Sequence, residues 1–183
     1  MRLSAKIQAQ MQAQTFTLWS GRYRILLAIA ILAAALAHIP PVSAEPIARP
    51  IVVYKSPSCG CCGAWVDHVE QAGFSTKIQH PNDLNTIKEQ LGVSPAYQSC
   101  HTGALEGYVF EGHIPAEVIQ QFLVDKPKEA IGLAVPGMPL GSPGMETDSQ
   151  FRPYEVRQLN KDGSSTPYAK VSASKTIYVE KKS

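Results

Sequence analysis

Three of the four cysteines in this 183-residue chain fall within four positions, Cys59-Gly60-Cys61-Cys62. The flanking residues fix the setting. Before the cluster, Ile51-Val52-Val53-Tyr54 is a continuous β-branched and aromatic run, which reads as a buried strand. After it, Trp65, Val66, Val69 and Ala72 recur at helical spacing until Gly73 stops the run. Three thiols are therefore expected at one strand–helix junction. Thiolates there gain from the positive end of the helix dipole, which lowers their pKa and makes them good nucleophiles and good ligands for soft ions. Cys61 and Cys62 are poor partners for each other, because the peptide between them strains the bridge.

The rest of the chain alternates strands and helices. Phe74–Gln79 reads as a second strand, and Asn82-Asp83 caps a second helix carrying Leu84, Ile87 and Leu91. After Val93 the chain reads as irregular through Ser94-Pro95 and then meets Ser99-Cys100-His101-Thr102. Gly107–Gly112 reads as a strand, and Pro115 opens a helix with Val118, Ile119, Phe122 and Leu123 on one face. Gly132–Glu146 is a Gly- and Pro-rich loop bearing Met138 and Met145. Phe151–Leu159 and Tyr168–Val171 form a hairpin about Lys161-Asp162-Gly163, and Lys175–Ser183 reads as a frayed tail or an edge strand. This order predicts an α/β fold, a central mixed sheet flanked by helices. A cysteine cluster at the first strand–helix junction is where thioredoxin-like folds place reactive thiols. Pro115, just after His113, occupies the position where such folds often hold a cis-proline facing the cysteine loop.

The first 44 residues read as an address. Ile25–Ala37 is an unbroken apolar run preceded by basic residues and followed by Val42-Ser43-Ala44, the pattern of a secretory signal with its cleavage site. Thirteen residues rise roughly 20 Å, short of the roughly 30 Å hydrocarbon core, so an uncleaved anchor is the lesser alternative. The expected organisation is a signal at 1–44, a linker at 45–50, a domain at 51–175 and a tail at 176–183. Residues 1–44 carry Arg2, Lys6, Arg22 and Arg24 and no acid, so removing them takes the net charge from +2 to −2. The mild basicity thus belongs to the signal. Nothing points to nucleic acid, and after cleavage nothing points to a membrane. The expected location is the periplasm, where thiols become disulfides unless a metal or a redox partner occupies them.

Cys100 can fold back as a fourth sulfur. Four thiolates fit one tetrahedral Zn(II) site, or they bridge several Cu(I) ions. Zinc sites usually use two separated cysteine pairs, so crowding three into one loop favours copper. His101 and His113 are candidate ligands or donors to a thiolate, and Met138 and Met145 are candidate thioether ligands for Cu(I). His68, about one turn beyond Cys62, is a weaker candidate. Two structural disulfides are the bland alternative for the cluster. Cys59 and Cys62 also form a Cys-x-x-Cys pair, which admits thiol–disulfide exchange, although the inserted Cys61 offers wrong pairings. No phosphate-binding loop, paired-carboxylate signature or Ser-His-Asp order is present, so hydrolase and kinase chemistry are unsupported.

Four motifs in order carry a resemblance. They are Tyr54-Lys55-Ser56-Pro57-Ser58-Cys59-Gly60-Cys61-Cys62, Ser99-Cys100-His101-Thr102, Gly107-Tyr108-Val109-Phe110-Glu111-Gly112-His113-Ile114-Pro115, and Val135-Pro136-Gly137-Met138-Pro139 through Met145-Glu146. Together they resemble the CopG-type copper-resistance proteins, small exported metal-binding proteins of formerly unknown function. The resemblance implies a thioredoxin-like fold, copper held by the cysteines, and a place in copper or heavy-metal resistance beside other periplasmic copper-handling proteins. Carried over by position, Cys59, Cys61, Cys62 and Cys100 are the metal thiolates, with His113 a nearby candidate.

Overall fold

The computed structural model describes residues 49–179. The expected signal segment lies outside the described residues. Among those described, no helix is long and apolar enough to cross a membrane.

The chain forms a mixed α/β fold. Strands β1 (Ile51–Lys55), β2 (Thr76–Gln79), β3 (His101–Leu105), β4 (Tyr108–Glu111), β5 (Ala130–Ala134), β6 (Tyr154–Asn160), β7 (Ser165–Ser172) and β8 (Lys175–Tyr178) make one eight-stranded sheet. Its order is β2-β1-β3-β4-β5-β6-β7-β8. Strands β1 and β2 are parallel, as are β4 and β5, and the other neighbours are antiparallel. Among the described residues three α-helices accompany the sheet: α1 (Gly60–Gln71), α2 (Leu84–Gln90) and α3 (Ala116–Asp125).

Strand alternation sorts the apolar side chains onto two faces. Ile51, Val53, Phe110 and Leu133 meet Trp65, Val66 and Val69 of α1 and Val118, Ile119 and Phe122 of α3 in the main core. Their strand neighbours Val109 and Ala134 face the other way, in a smaller cluster with Val93, Leu159 and Leu91. Asp83 caps α2 by accepting from the backbone N–H groups of Asn85 and Thr86, as its sequence predicts. Helices α1 and α3 are tied by polar contacts. Trp65 Nε1 donates to the Ile114 carbonyl at 2.9 Å, and the Ala116 N–H donates to His68 Nε2 at 3.0 Å. His68 is thereby occupied in holding the start of α3.

Several local expectations are corrected. His101-Thr102, to which the residues assign no element, open β3. The Gly- and Pro-rich segment begins inside β5, because Gly132 lies against β4 so closely that a Cβ would fall 1.8 Å from the Val109 carbonyl oxygen. A glycine demanded by strand contact thus looked like loop punctuation. Strand β7 starts at Ser165 and takes in Pro167, beside a register shift at Val156/Arg157 that accommodates its missing N–H. The last segment is an edge strand as far as Tyr178. The bond before Pro115 is trans, like all peptide bonds among the described residues, so the cis-proline expectation fails.

An ion pair lies inside the fold. Glu111, next to Phe110 on β4, faces the smaller cluster and pairs there with Lys88 of α2; the two are 0% and 2% exposed. Removing one partner of such a pair strands the other charge in a medium that cannot solvate it. Lys88→Met alone is therefore expected to cost about 3–5 kcal/mol, a large part of the usual 5–15 kcal/mol of a domain. Urea unfolding followed by Trp65 fluorescence measures it.

Candidate metal centre

Strand β1 delivers the chain to Ser56-Pro57-Ser58, and Cys59 then stands at the N-cap of α1. Cys61 and Cys62 lie in the first turn of that helix, so the cluster is part of the helix start rather than a loop before it. Cys62 is buried beneath it, while Cys59 and Cys61 are partly exposed. Cys100 immediately precedes β3, which pairs antiparallel with β1 so that His101 stands opposite Lys55. The end of β1 and the start of β3 therefore coincide at one end of the sheet. All four sulfurs lie within 4.8 Å of one another. The expected convergence of the late cysteine on the early trio is what the geometry has.

Cys59 and Cys62 are joined in a disulfide, and Cys61 and Cys100 are free. The cluster is thus neither four free thiols nor two disulfides. Cys61 Sγ lies 3.5 Å from Cys59 Sγ. Cys62 Sγ lies 3.8 Å from the Cys100 carbonyl oxygen, a contact without a proton while the bridge is closed.

The two histidines stand behind Cys100. The ligand atoms of Cys100, His101 and His113 also lie within 4.8 Å of one another. His113 Nδ1 is 2.7 Å from the Pro143 carbonyl oxygen, which only accepts, so Nδ1 carries the proton. Its Nε2 lone pair then faces Cys100 Sγ at 3.0 Å, and the thiol donates to it. Burial holds the His113 pKa below the ordinary histidine range, against the opposing pull of the Pro143 carbonyl and the Glu146 charge. His101 Nδ1 lies 3.4 Å from the same sulfur. Its ring leans on Trp65, centroids 4.3 Å apart, and meets His113 edge-on at 5.0 Å. Burial first, then the neighbouring His113 and Lys88, push His101 well below the usual pKa. Both imidazoles are neutral at pH 7 and offer lone pairs, as ligation requires. His101 Nε2 is the one buried side-chain nitrogen or oxygen among the described residues with no hydrogen-bond partner.

A strap from Val135 to Glu146 crosses the site. Ser99 Oγ donates to the Gly137 carbonyl at one end, and His113 holds Pro143 at the other. Gly144, at φ +82°, packs so tightly on α1 that a Cβ would fall 2.5 Å from the Cys61 carbonyl oxygen. Met138 on this strap is half exposed and Met145 is partly buried. Sequence reasoning missed the Pro143 carbonyl and the fit at Gly144, because a carbonyl's direction and a missing side chain carry no composition signal.

The Cys100 thiol is pushed up to about 11, by burial first and then by the adjacent Cys61. Only the thiolate alkylates, so iodoacetamide should label Cys100 about tenfold faster for each pH unit from 7 to 10. An ordinary thiol levels off near 9. Peptide mapping by mass spectrometry at each pH reads this, and a plateau below pH 9.5 contradicts it.

The family described as "Protein of unknown function, DUF411" matches residues 97–145, the stretch that contains Cys100, His101, His113 and the strap as far as Met145. A solved structure named Copper resistance protein CopG, form 1, is 38% identical, with a TM-score of 0.64, over 69% of this chain and 98% of that one. Form 2 of the same name is 36% identical, with a TM-score of 0.63, over 68% and 100%. A search of the curated proteins gives no match. With nearly the whole length of those structures covered at that identity, the chain belongs to the family of the CopG copper-resistance proteins.

Proposed function

We propose that this chain is an exported copper-handling protein that holds Cu(I) in a cluster of cysteine thiolates, opened and closed by the Cys59–Cys62 bridge. The observation that carries the reading is the approach of four sulfurs to within 4.8 Å, from two stretches of chain about forty residues apart. Thiolates prefer soft cations, and a thiolate can bridge more than one Cu(I), which crowding favours over a single tetrahedral Zn(II). The names of the related structures, copper resistance proteins, support copper as the cargo. The signal pattern at 1–44 supports a periplasmic location, with other copper-handling proteins there as partners.

While the bridge is closed, Cys61 and Cys100 are the free sulfurs, and the His113 and His101 nitrogens stand beside Cys100. A dithiol donor supplies two electrons and two protons to the bridge, becomes a disulfide itself, and leaves Cys59 and Cys62 as thiols. Each thiol that takes metal releases its proton. Cys100, whose proton is held tightly, makes uptake stronger as pH rises. His113, fixed by Pro143, presents Nε2 as a nitrogen ligand beside the sulfurs, and Met138 and Met145 of the strap are candidate thioether ligands. The arrangement around the bridge supports the thioredoxin-like reading: a Cys-x-x-Cys pair at the start of the helix in a β-α-β unit, with β1 and β2 parallel.

The closed bridge itself favours a second reading, thiol–disulfide exchange with protein substrates. The two part on one measurement. Anaerobic Cu(I) titration against a chromogenic chelator should show strong uptake by the reduced chain and at least tenfold weaker uptake by the bridged one. Cys100→Ser should cost more than the 10–100-fold typical of losing a residue that only supports a ligand. A reduced chain that takes up no Cu(I) yet reduces insulin overturns the copper reading in favour of exchange.

A further inference from the structure

Glu111 and Lys88 take no part in that chemistry as ligands, yet they are the most deeply buried charges beside it. Both carboxylate oxygens are engaged. Oε1 accepts from Lys88 Nζ and from the Ser99 N–H, the latter at 2.6 Å. Oε2 accepts from Thr102 Oγ1 at 2.6 Å, and Lys88 Nζ donates to that same hydroxyl at 2.9 Å. Ser99 and Thr102 bracket Cys100 and His101. The carboxylate therefore grips the chain on both sides of two site residues.

The same residue fixes the third. Glu111 leads directly into Gly112 and His113, and the Gly112 N–H donates to the His101 carbonyl at 3.0 Å. Gly112 has φ +76°, and a Cβ there would fall 2.6 Å from the Val135 carbonyl oxygen and 2.7 Å from the Ser99 Cβ. The two segments that bear Cys100, His101 and His113 are thus pressed together at this point with no room for adjustment. Glu111 lies on the α2 face of the sheet, away from the helix that carries the other three sulfurs.

We propose that the Lys88–Glu111 pair is a positioning device that sets Cys100, His101 and His113 for metal from behind the sheet. The inference rests on the copper-binding reading above. A carboxylate suits the task because it only accepts, has room for several donors at once, and binds them about twice as strongly as a neutral acceptor. The Lys88 ammonium balances its charge, so that no unpaired anion stands behind thiolates that must themselves become anionic. The pair governs the sheet half of the site and leaves the Cys59–Cys62 half to α1.

The test compares variants of the full chain, reduced and free of metal, titrated anaerobically with Cu(I) against a chelator. Lys88→Met/Glu111→Leu removes both charges and both grips without stranding a charge. Lys88→Met/Glu111→Gln removes the charges but keeps a carbonyl for Ser99 and an amide for Thr102. The first is expected to lose 10–100-fold in Cu(I) affinity with a changed thiolate-to-copper absorption. The second should stay within about threefold of the unaltered chain. In both, formation of the Cys59–Cys62 bridge should be unchanged. Equal affinity of the two folded double variants, or losses that merely follow their melting temperatures, overturns the inference. If the leucine variant does not fold, Thr102→Val decides, since it keeps the ion pair and removes one grip. A several-fold loss supports the positioning role, and unchanged affinity rejects it. Absence of Cu(I) binding by the unaltered chain instead rejects the copper reading itself.

Discussion

The antiparallel pairing of β1 with β3 is the constraint on which the site depends. It sets Lys55 opposite His101, so the strand that leads out to the first three cysteines ends where the strand preceded by the fourth begins. A parallel partner in that place would put Cys100 at the opposite end of the sheet. Everything else serves this meeting. The turn at Ser56-Pro57-Ser58 brings Cys59 onto the end of α1, and Trp65 fixes that helix by its bond to the Ile114 carbonyl. Ile114 in turn follows His113, so the helix that carries sulfur and the loop that carries nitrogen are fastened together.

The site has two halves with different physical characters. The half on α1 carries the Cys59–Cys62 disulfide, the one kind of bond in the site that two electrons can open. The half on the sheet is geometrically fixed. His113 is held by the Pro143 carbonyl, and the Cys100–His101 segment is held by contacts to a buried carboxylate. Such fixing has a cost, visible in His101, whose Nε2 is buried without a partner. An unpaired polar atom in the interior costs about 1–3 kcal/mol. A domain keeps such a group where its other nitrogen, here Nδ1 beside Cys100, has a task.

Much of this was legible in the residues. The β-branched run before the cysteines, the helical spacing after them and the Asp83 cap each act locally, so a short window contains the whole cause. The late hairpin was legible for the same reason, through its Asp162-Gly163 turn. Strands β3 and β5 were not. His101-Thr102-Gly103 has no strand-like alternation, and its polar residues are buried because Glu111, Lys88 and the cysteine cluster receive them. Gly132 reads as a breaker, while in the fold it allows β5 to approach β4. His68 drew attention as a ligand by its spacing from Cys62, but its Nε2 accepts from the Ala116 N–H at the start of α3.

The sequence by itself determined the chemistry on offer: four soft sulfurs, three of them at a helix start. Those properties follow from residue type and near-neighbour spacing, which no fold can change. Only the tertiary structure decided which groups meet. The fourth sulfur, the lone pair of His113 and the bond between Cys59 and Cys62 depend on strand order, on a carbonyl's direction and on a buried charge pair. These act between residues far apart in the chain, where one-dimensional spacing has no bearing on distance.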